Sequence, residues 1–125
     1  MNSDYLQKEK TEKYSFFPVP KMMVMDKEFI KISAEAKLLF GLMLDRLSLS
    51  RKNGWLDENG NVFIYFTIED VRYFLRCSAT KAVSVLKELT TVNLIDCRRV
   101  GLGKPNMIYI KDFTRCQKTE FKNSE

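Results

Sequence analysis

At 125 residues, with 21 Lys and Arg against 16 Asp and Glu and no histidine, the chain carries a formal charge of +5. That length makes one domain with a modest core, and the missing histidine removes the commonest general base and any Ser-His or Cys-His nucleophile pair. No apolar run approaches the ~20 residues that cross a bilayer, and the opening MNSDYLQKEKTEKY is too polar for a secretory signal, so a cytoplasmic protein with no membrane contact is expected.

Residues 1–20 predict a charged, mobile arm that ends in the aromatic and proline patch Tyr14-Ser15-Phe16-Phe17-Pro18-Val19-Pro20. Exposed Phe16 and Phe17 are costly on a monomer, so the patch either folds back on the core or docks on a partner. The methionines of Lys21-Met22-Met23-Val24-Met25 read as core filler or dimer contact. A folded domain is expected over residues 21–111, followed by a polar tail at 112–125.

Ser33 introduces the helix SAEAKLLFGLMLDRLS as N-cap, with Glu35 in its first turn. Leu38, Leu39, Leu42, Met43 and Leu47 form one broad apolar side, widened by Phe40 and Leu44, which predicts a helix central to the core. The stretch Leu49 to Trp55 breaks it at Asn53-Gly54, and Asp57 to Asn61 makes a further turn before a strand over Val62–Phe66. Trp55 reads as a core or interface anchor rather than a base-stacking residue.

Thr67 then opens TIEDVRYFLR as N-cap, with Asp70 three residues on completing a capping-box pattern. Ile68, Val71, Phe74 and Leu75 fall on one helical face. After a tight break at Arg76-Cys77, Ser78 can cap a second helix whose apolar residues Ala82, Val85, Leu86 and Leu89 repeat at i, i+3, i+4 and i+7. At about 100° per residue, Thr80, Ser84, Lys87 and Thr91 lie opposite, with Lys81 and Val83 on the flanks. Alone, such a pair fits any small α-domain.

The residues downstream make the pair more specific. Leu94 to Val100, Gly101 to Asn106 and Met107 to Ile110 read as strand, Gly-rich turn and strand, which is a wing. Helix, strand, two helices and hairpin in that order predict an α+β fold, a winged helix-turn-helix with a small β-wing. Its second helix presents a small, polar, basic surface suited to a major groove, where acidic or bulky groups would be held off.

Ala79, Thr80, Lys81 and Ser84, near that helix's N-terminus, are placed to reach base edges, and Lys87 to reach a phosphate. On the wing, Arg98, Arg99, Lys104 and Asn106 suit phosphate oxygens or a minor groove, although cations on an edge strand also discourage aggregation. Thr67 to Lys111 holds eight basic residues against four acidic ones, a net +4, so most of the excess charge sits where the motif is.

No catalytic, cofactor or metal site is read. Cys77, Cys97 and Cys116 are widely spaced with no CxxC pair, which argues against a zinc site and a disulfide framework. Asp57-Glu58 lies in a turn, and Glu69-Asp70 complements a helix dipole. Gly101-Leu102-Gly103-Lys104 lacks the GxxxxGK[ST] pattern and precedes a strand, so its glycines serve the turn. A non-enzymatic binding protein is expected.

The text ISAEAKLLFGLMLDRLSLSRKNGWLDENGNVFIYFTIEDV, continued by KAVSVLKEL, NLID and GLGKPNMIYI, resembles the N-terminal domain of RepA_N-type plasmid replication initiators over roughly Phe16 to Ile110. The pairing of SLSRKNGW with GLGKPN is the specific part of that resemblance. It implies an initiator that binds repeated sequences of a plasmid origin through its winged helix, usually as a homodimer. The matching recognition positions are Ser78, Thr80, Lys81 and Ser84, with Lys87 for the DNA backbone and Arg98, Arg99 and Lys104 for the wing. Lys37, and Arg51 and Lys52 in the SLSRKNGW turn, are further candidates for phosphate contact.

Such initiators carry another domain that engages host replication proteins, so the polar ending Lys118 to Glu125 resembles the start of a linker and the chain is expected to be a fragment. Two other readings fit the same residues. A winged helix can serve as a protein-docking module of a replisome, or as a transcriptional repressor of the same shape.

Overall fold

The computed structural model describes residues 4–13, 15–53, 55–99 and 106–114. In chain order these form helices α1 (Met22–Met25) and α2 (Ala34–Asn53), strand β1 (Phe63–Tyr65), helices α3 (Ile68–Leu75) and α4 (Ala79–Thr91), and strands β2 (Ile95–Arg99) and β3 (Asn106–Ile110). The strands make one antiparallel sheet in the order β1-β3-β2, with Ile108 paired to Ile64 on one side and to Cys97 on the other. Helices packed on a small sheet whose last two strands follow α4 make a winged helix-turn-helix, as the succession of elements predicts.

Capping residues set the helix starts. Ser33 Oγ accepts from the Ala36 N–H at 3.1 Å and starts α2. Thr67 and Asp70 form a reciprocal capping box at α3, with both bonds at 2.9 Å. The Asp70 carboxylate also takes the Arg46 guanidinium at 3.2 Å, which donates to the Tyr65 carbonyl at 3.0 Å and lies 4.5 Å from the centre of the Phe66 ring. One arginine thus ties α2 to the corner between β1 and α3.

The turn between α3 and α4 runs through Arg76, in the left-handed region at φ 53°, and Ser78 then caps α4 by accepting from the Lys81 N–H at 3.1 Å. At the far end Asn93, at φ 64°, closes α4: its N–H donates to the Thr90 carbonyl and the Leu94 N–H to the Leu89 carbonyl, both at 3.0 Å. This is the Schellman pattern, and the buried Leu94 and Leu89 supply its apolar contact.

The core is one cluster around Met23, Phe29, Leu39, Phe40, Met43, Ile64, Phe66, Val71, Val85, Leu89, Ile95 and Ile108. From α4, Ala82, Val85, Leu86 and Leu89 enter it, the four residues its periodicity predicts. Other elements depart from expectation. The buried stripe of α2 is Ala36, Leu39, Phe40 and Met43, while Leu38, expected inside, is 46% exposed. It lies about 200° from Ala36 and from Phe40 around the helix, too far for one face.

Helix α2 runs through Asn53, ending where the break was expected, and basic residues suit a helix C-terminus. Arg51 and Lys52 therefore sit in its last turn, not in the loop predicted for SLSRKNGW. The strand predicted over Val62–Phe66 shortens to Phe63–Tyr65: Val62 makes only an isolated bridge with Leu56, and Phe66, buried like Ile64, keeps a 3.4 Å bond to the Asn106 carbonyl as the chain turns toward α3. Phe74, predicted inward, stacks on Phe66 from outside at 6.1 Å and stays 41% exposed.

Asn106, placed by its sequence in the wing turn, opens β3 and pairs with Arg99. Past Lys111, Phe113 packs edge-on against Phe40 with ring centres 5.5 Å apart, so the packed body runs beyond the expected boundary. Tyr14, Gly54, Val100 to Pro105 and everything from Arg115 onward, including Lys104 and Cys116, lie outside the described residues.

Near the N-terminus, residues 17–19 cross α2 at Gly41. A Cβ there would stand 2.7 Å from the Pro18 carbonyl oxygen and 2.9 Å from Val19 Cγ2. Part of the aromatic patch thus folds back on the core, while Phe16 remains 80% exposed. Met22 and Met23 are buried and Met25 is not. Gly41→Ala is expected to lower unfolding free energy by about 1–3 kcal/mol through overpacking. Asn93→Val should cost about 1–2 kcal/mol because a β-branched residue resists the left-handed region, whereas Asn93→Gly should leave stability unchanged or raise it; urea denaturation of the three variants checks both.

Candidate nucleic-acid interface

With its apolar stripe turned inward, α4 presents Ala79, Thr80, Lys81, Ser84, Lys87 and Thr91 to solvent. These include every position assigned to that helix for reading a groove, with Ser78 exposed just before it. Ser78 also holds the helix start, since its oxygen is the N-cap acceptor. No acidic residue lies in the first turn of α4, so its positive dipole end is left open to an anion.

A buried-side latch holds the helix in place. Glu88 reaches back to α2, accepting from the Ser33 N–H at 2.6 Å and the Ser33 hydroxyl at 2.7 Å. The start of α2 and the last turn of α4 are thereby fixed to each other, and nearer the start of α4 Glu35 lies beside Lys81, with 3.7 Å between carboxylate and ammonium. Backbone hydrogen bonding at the helix start, and then the Lys81 charge, hold the Glu35 carboxyl below the usual carboxylate range. Lys81 is consequently engaged on the α2 side of the exposed face, a partner that spacing within α4 could not reveal.

On the opposite flank, toward the wing, an apolar groove of about 290 Å³ is lined by Ile68, Val83, Leu86, Lys87, Thr90, Cys97 and Asn106. Asn106 is half-buried at its edge, and Arg99 occupies the paired position in β2. Arg98 already has partners of its own. Its guanidinium donates to the Asp96 carboxylate at 3.0 and 3.1 Å and lies 4.7 Å from the centre of the Tyr109 ring. Asp96, Arg98 and Tyr109 alternate with the buried Ile95 and Ile108, so they share the sheet face turned away from the core.

That outer face forms a second polar cluster, an open cavity of about 570 Å³ lined in part by Asp57, Asp96, Arg98, Tyr109 and Lys111. Asp57 accepts from the N–H groups of Asn61 at 2.8 Å and Asn59 at 2.9 Å, and these backbone bonds hold its carboxyl below the usual range. Desolvation, reinforced by its hydrogen bond to Asp57, pushes the Tyr109 hydroxyl up. The cluster satisfies itself, bracing the turn around Gly60. Lys37 is half-buried on α2.

A family model for the N-terminus of replication initiator protein A (RepA_N) matches residues 15–123. A curated relative, a 41 kDa protein of Lactobacillus helveticus, is 26% identical over 91 residues, which is 73% of this chain and 26% of that protein. The chain thus spans about a quarter of that relative's length. A solved structure described as a Rep–DNA complex is 29% identical with a TM-score of 0.70, covering 87% of this chain and 84% of the other. Another, described as the N-terminal domain of a DNA binding protein, is also 29% identical with a TM-score of 0.70, over 89% and 85% of the two chains. A third, described as an MDR initiator, is 29% identical with a TM-score of 0.69, over 87% and 86%.

The latch between α2 and α4 is testable without any ligand. Glu88→Ala should cost about 1.5–3 kcal/mol, as expected for hydrogen bonds to a charged group, and Ser33→Ala should cost a comparable amount, because it removes the hydroxyl bond to Glu88 and the N-cap of α2 while the backbone N–H keeps Glu88. A double-mutant cycle read by denaturant unfolding should return a positive coupling; strict additivity would show that the two residues do not act as a unit.

Proposed function

We propose that this chain, which belongs to the RepA_N family of replication initiator N-termini, binds double-stranded DNA at repeats in a plasmid replication origin and forms the DNA-reading part of an initiator. The observation that carries this reading is the outward face of α4, where hydroxyls and lysines stand on a helix locked to the core by its other side. Such a helix can enter the major groove with its first turns against base edges while the wing lies alongside.

In this reading Ser78, Ala79, Thr80, Lys81 and Ser84 meet base edges, and Lys87 meets the sugar-phosphate backbone. Arg99, Lys104 and Asn106 grip from the wing. Arg98 joins them only by leaving Asp96, and Lys81 only by leaving Glu35, so each exchanges an intramolecular carboxylate for the duplex. Both pairs are solvent-exposed and therefore weak enough to exchange. Lys37, Arg51 and Lys52 add phosphate contacts from α2. Affinity comes mostly from released counterions and preference from the few groups that touch bases.

The reading extends to two copies of the domain on tandem repeats, with the exposed Phe16, Leu38 and Leu49 as apolar side chains available to pair them. Recruitment of host replication proteins is not assigned to any residue of this domain. The site of action is then the cytoplasm, in keeping with the fact that no helix among the described residues is long and apolar enough to cross a membrane.

Lys81→Ala or Thr80→Ala should cost about 1–3 kcal/mol of binding and relax base preference, whereas Arg99→Ala should weaken all duplexes alike and lower the salt slope by about one. Glu35→Gln should raise affinity by about two- to fivefold at low salt, a gain that shrinks as salt rises. Because the Glu35 carboxyl titrates below its usual range, the Lys81 pair persists until pH falls below that range, and binding near neutral pH should not vary through this group. Fluorescence anisotropy titrations across a salt series measure all four; duplex binding that ignores salt would instead mark a protein-docking module.

A further inference from the structure

Val83 sits where an apolar residue has no structural duty. It is 47% exposed, on a helix whose buried stripe is already complete, and as a β-branched residue it is a poorer helix former than the alanine or lysine that position would accept. Around the helix axis it lies about 60° from Thr80 on the side facing the wing, one turn from Thr80 at i−3 and from Lys87 at i+4. Its side chain forms the outer lip of the groove that continues inward over Leu86 and Ile68 and is closed on the wing side by Cys97 and Asn106.

We propose that Val83 is a specificity-determining residue that receives the 5-methyl group of a thymine, with the groove beneath it as the receiving surface. The inference rests on the DNA reading proposed for α4. A thymine methyl is the one apolar group that B-form DNA displays in its major groove, and it projects from the pyrimidine edge nearest its own sugar-phosphate backbone. A helix seated in that groove meets the methyl with a flank, not with its centre, and the flank bearing Val83 is the one that turns toward the wing and the adjoining strand.

The surroundings suit that neighbour. Lys87, on the same groove, reaches the phosphate beside such a base, and Asn106 offers amide donors from the other wall. Thr80 and Ser84, one turn apart beside Val83, supply hydroxyls to adjacent base edges. The hydroxyls of Thr80 and Ser84 alone would leave pyrimidine identity weakly specified, since a hydroxyl can accept from the cytosine amine or donate to the thymine carbonyl. Val83 supplies the contact that rewards the methyl.

The test uses the whole chain and a duplex selected by it from a random-sequence pool. Each thymine of that duplex is replaced singly by deoxyuridine, which removes the methyl and leaves every hydrogen-bonding group in place. The wild-type chain should lose about fourfold in affinity at one thymine per binding site, the worth of one buried methyl. Val83→Ala should bind the thymine duplex about fourfold more weakly and be indifferent to deoxyuridine at that position. Val83→Thr, which keeps the branched shape but exchanges a methyl for a hydroxyl, should fall between the two.

Thermal unfolding of each variant, expected within a degree or two of wild type for an exposed site, excludes misfolding as the cause. Duplex binding in which no single deoxyuridine matters, or in which the penalty is the same for wild type and Val83→Ala, overturns the assignment of Val83 while leaving the α4 interface intact. Failure of the pool to enrich any duplex, with Lys81→Ala indistinguishable from wild type, overturns both.

Discussion

Ala82, Val85, Leu86 and Leu89 turn one side of α4 into the core, and that burial decides which residues of the helix are offered to the outside. Each of the three larger side chains is worth about 1.5–3 kcal/mol when removed from water, so rotating the helix by one residue would forfeit several kcal/mol and drive Lys87 toward the interior. Glu88 adds direction to this non-directional force, because its two oxygens fit Ser33 in only one setting of the helix. The caps at Ser78 and Asn93 fix where the helix starts and stops. Rotation, translation and length are then all determined, and the hydroxyls and lysines face outward as a consequence.

The cations divide along similar lines. Arg46, which joins α2 to the α3 corner, is held by a carboxylate, a carbonyl and an aromatic face together, and is a structural residue. Lys81 is held by one carboxylate and Arg98 by one carboxylate and the Tyr109 ring, both in exposed surroundings that keep the side chain extended in a known direction while costing little to break. Lys87, by contrast, stands on the open groove. The surface therefore presents cations that are positioned but releasable, which is what binding to a dense line of phosphates requires.

Local signals were legible wherever one segment decides its own structure. The capping box at Thr67 and Asp70, the Ser78 cap and the four-residue stripe of α4 follow from periodicity and side-chain chemistry within a dozen residues, and the structure has each of them. Features that depended on a second segment were not legible. Leu38 looks like core by composition, but only the approach of the sheet and α4 decides which of the many apolar residues of α2 face inward. Phe74 fits the inward stripe of α3 until Phe66 fills that space. The partner of Lys81 lies on another helix, and neither spacing nor charge counting ranks it above open solvent, whereas Asp96, two residues from Arg98 on the same strand, shares its face by simple alternation. Val83 was visible as a flank residue; the groove beside it exists only because Cys97 and Asn106 of the sheet close its other wall.

Whether the outward face of α4, flanked by the wing, is the surface that meets the duplex is tested most directly by backbone amide chemical shifts of isotopically labelled protein, followed while a selected duplex is titrated in. The largest changes are expected on Thr80, Lys81, Val83, Ser84 and Lys87, extending into the start of β3, with Tyr65 and Leu89 nearly unmoved. Changes centred on Asp57, Asp96 and Tyr109, or on Phe16 and Phe17, with α4 silent, would contradict that assignment.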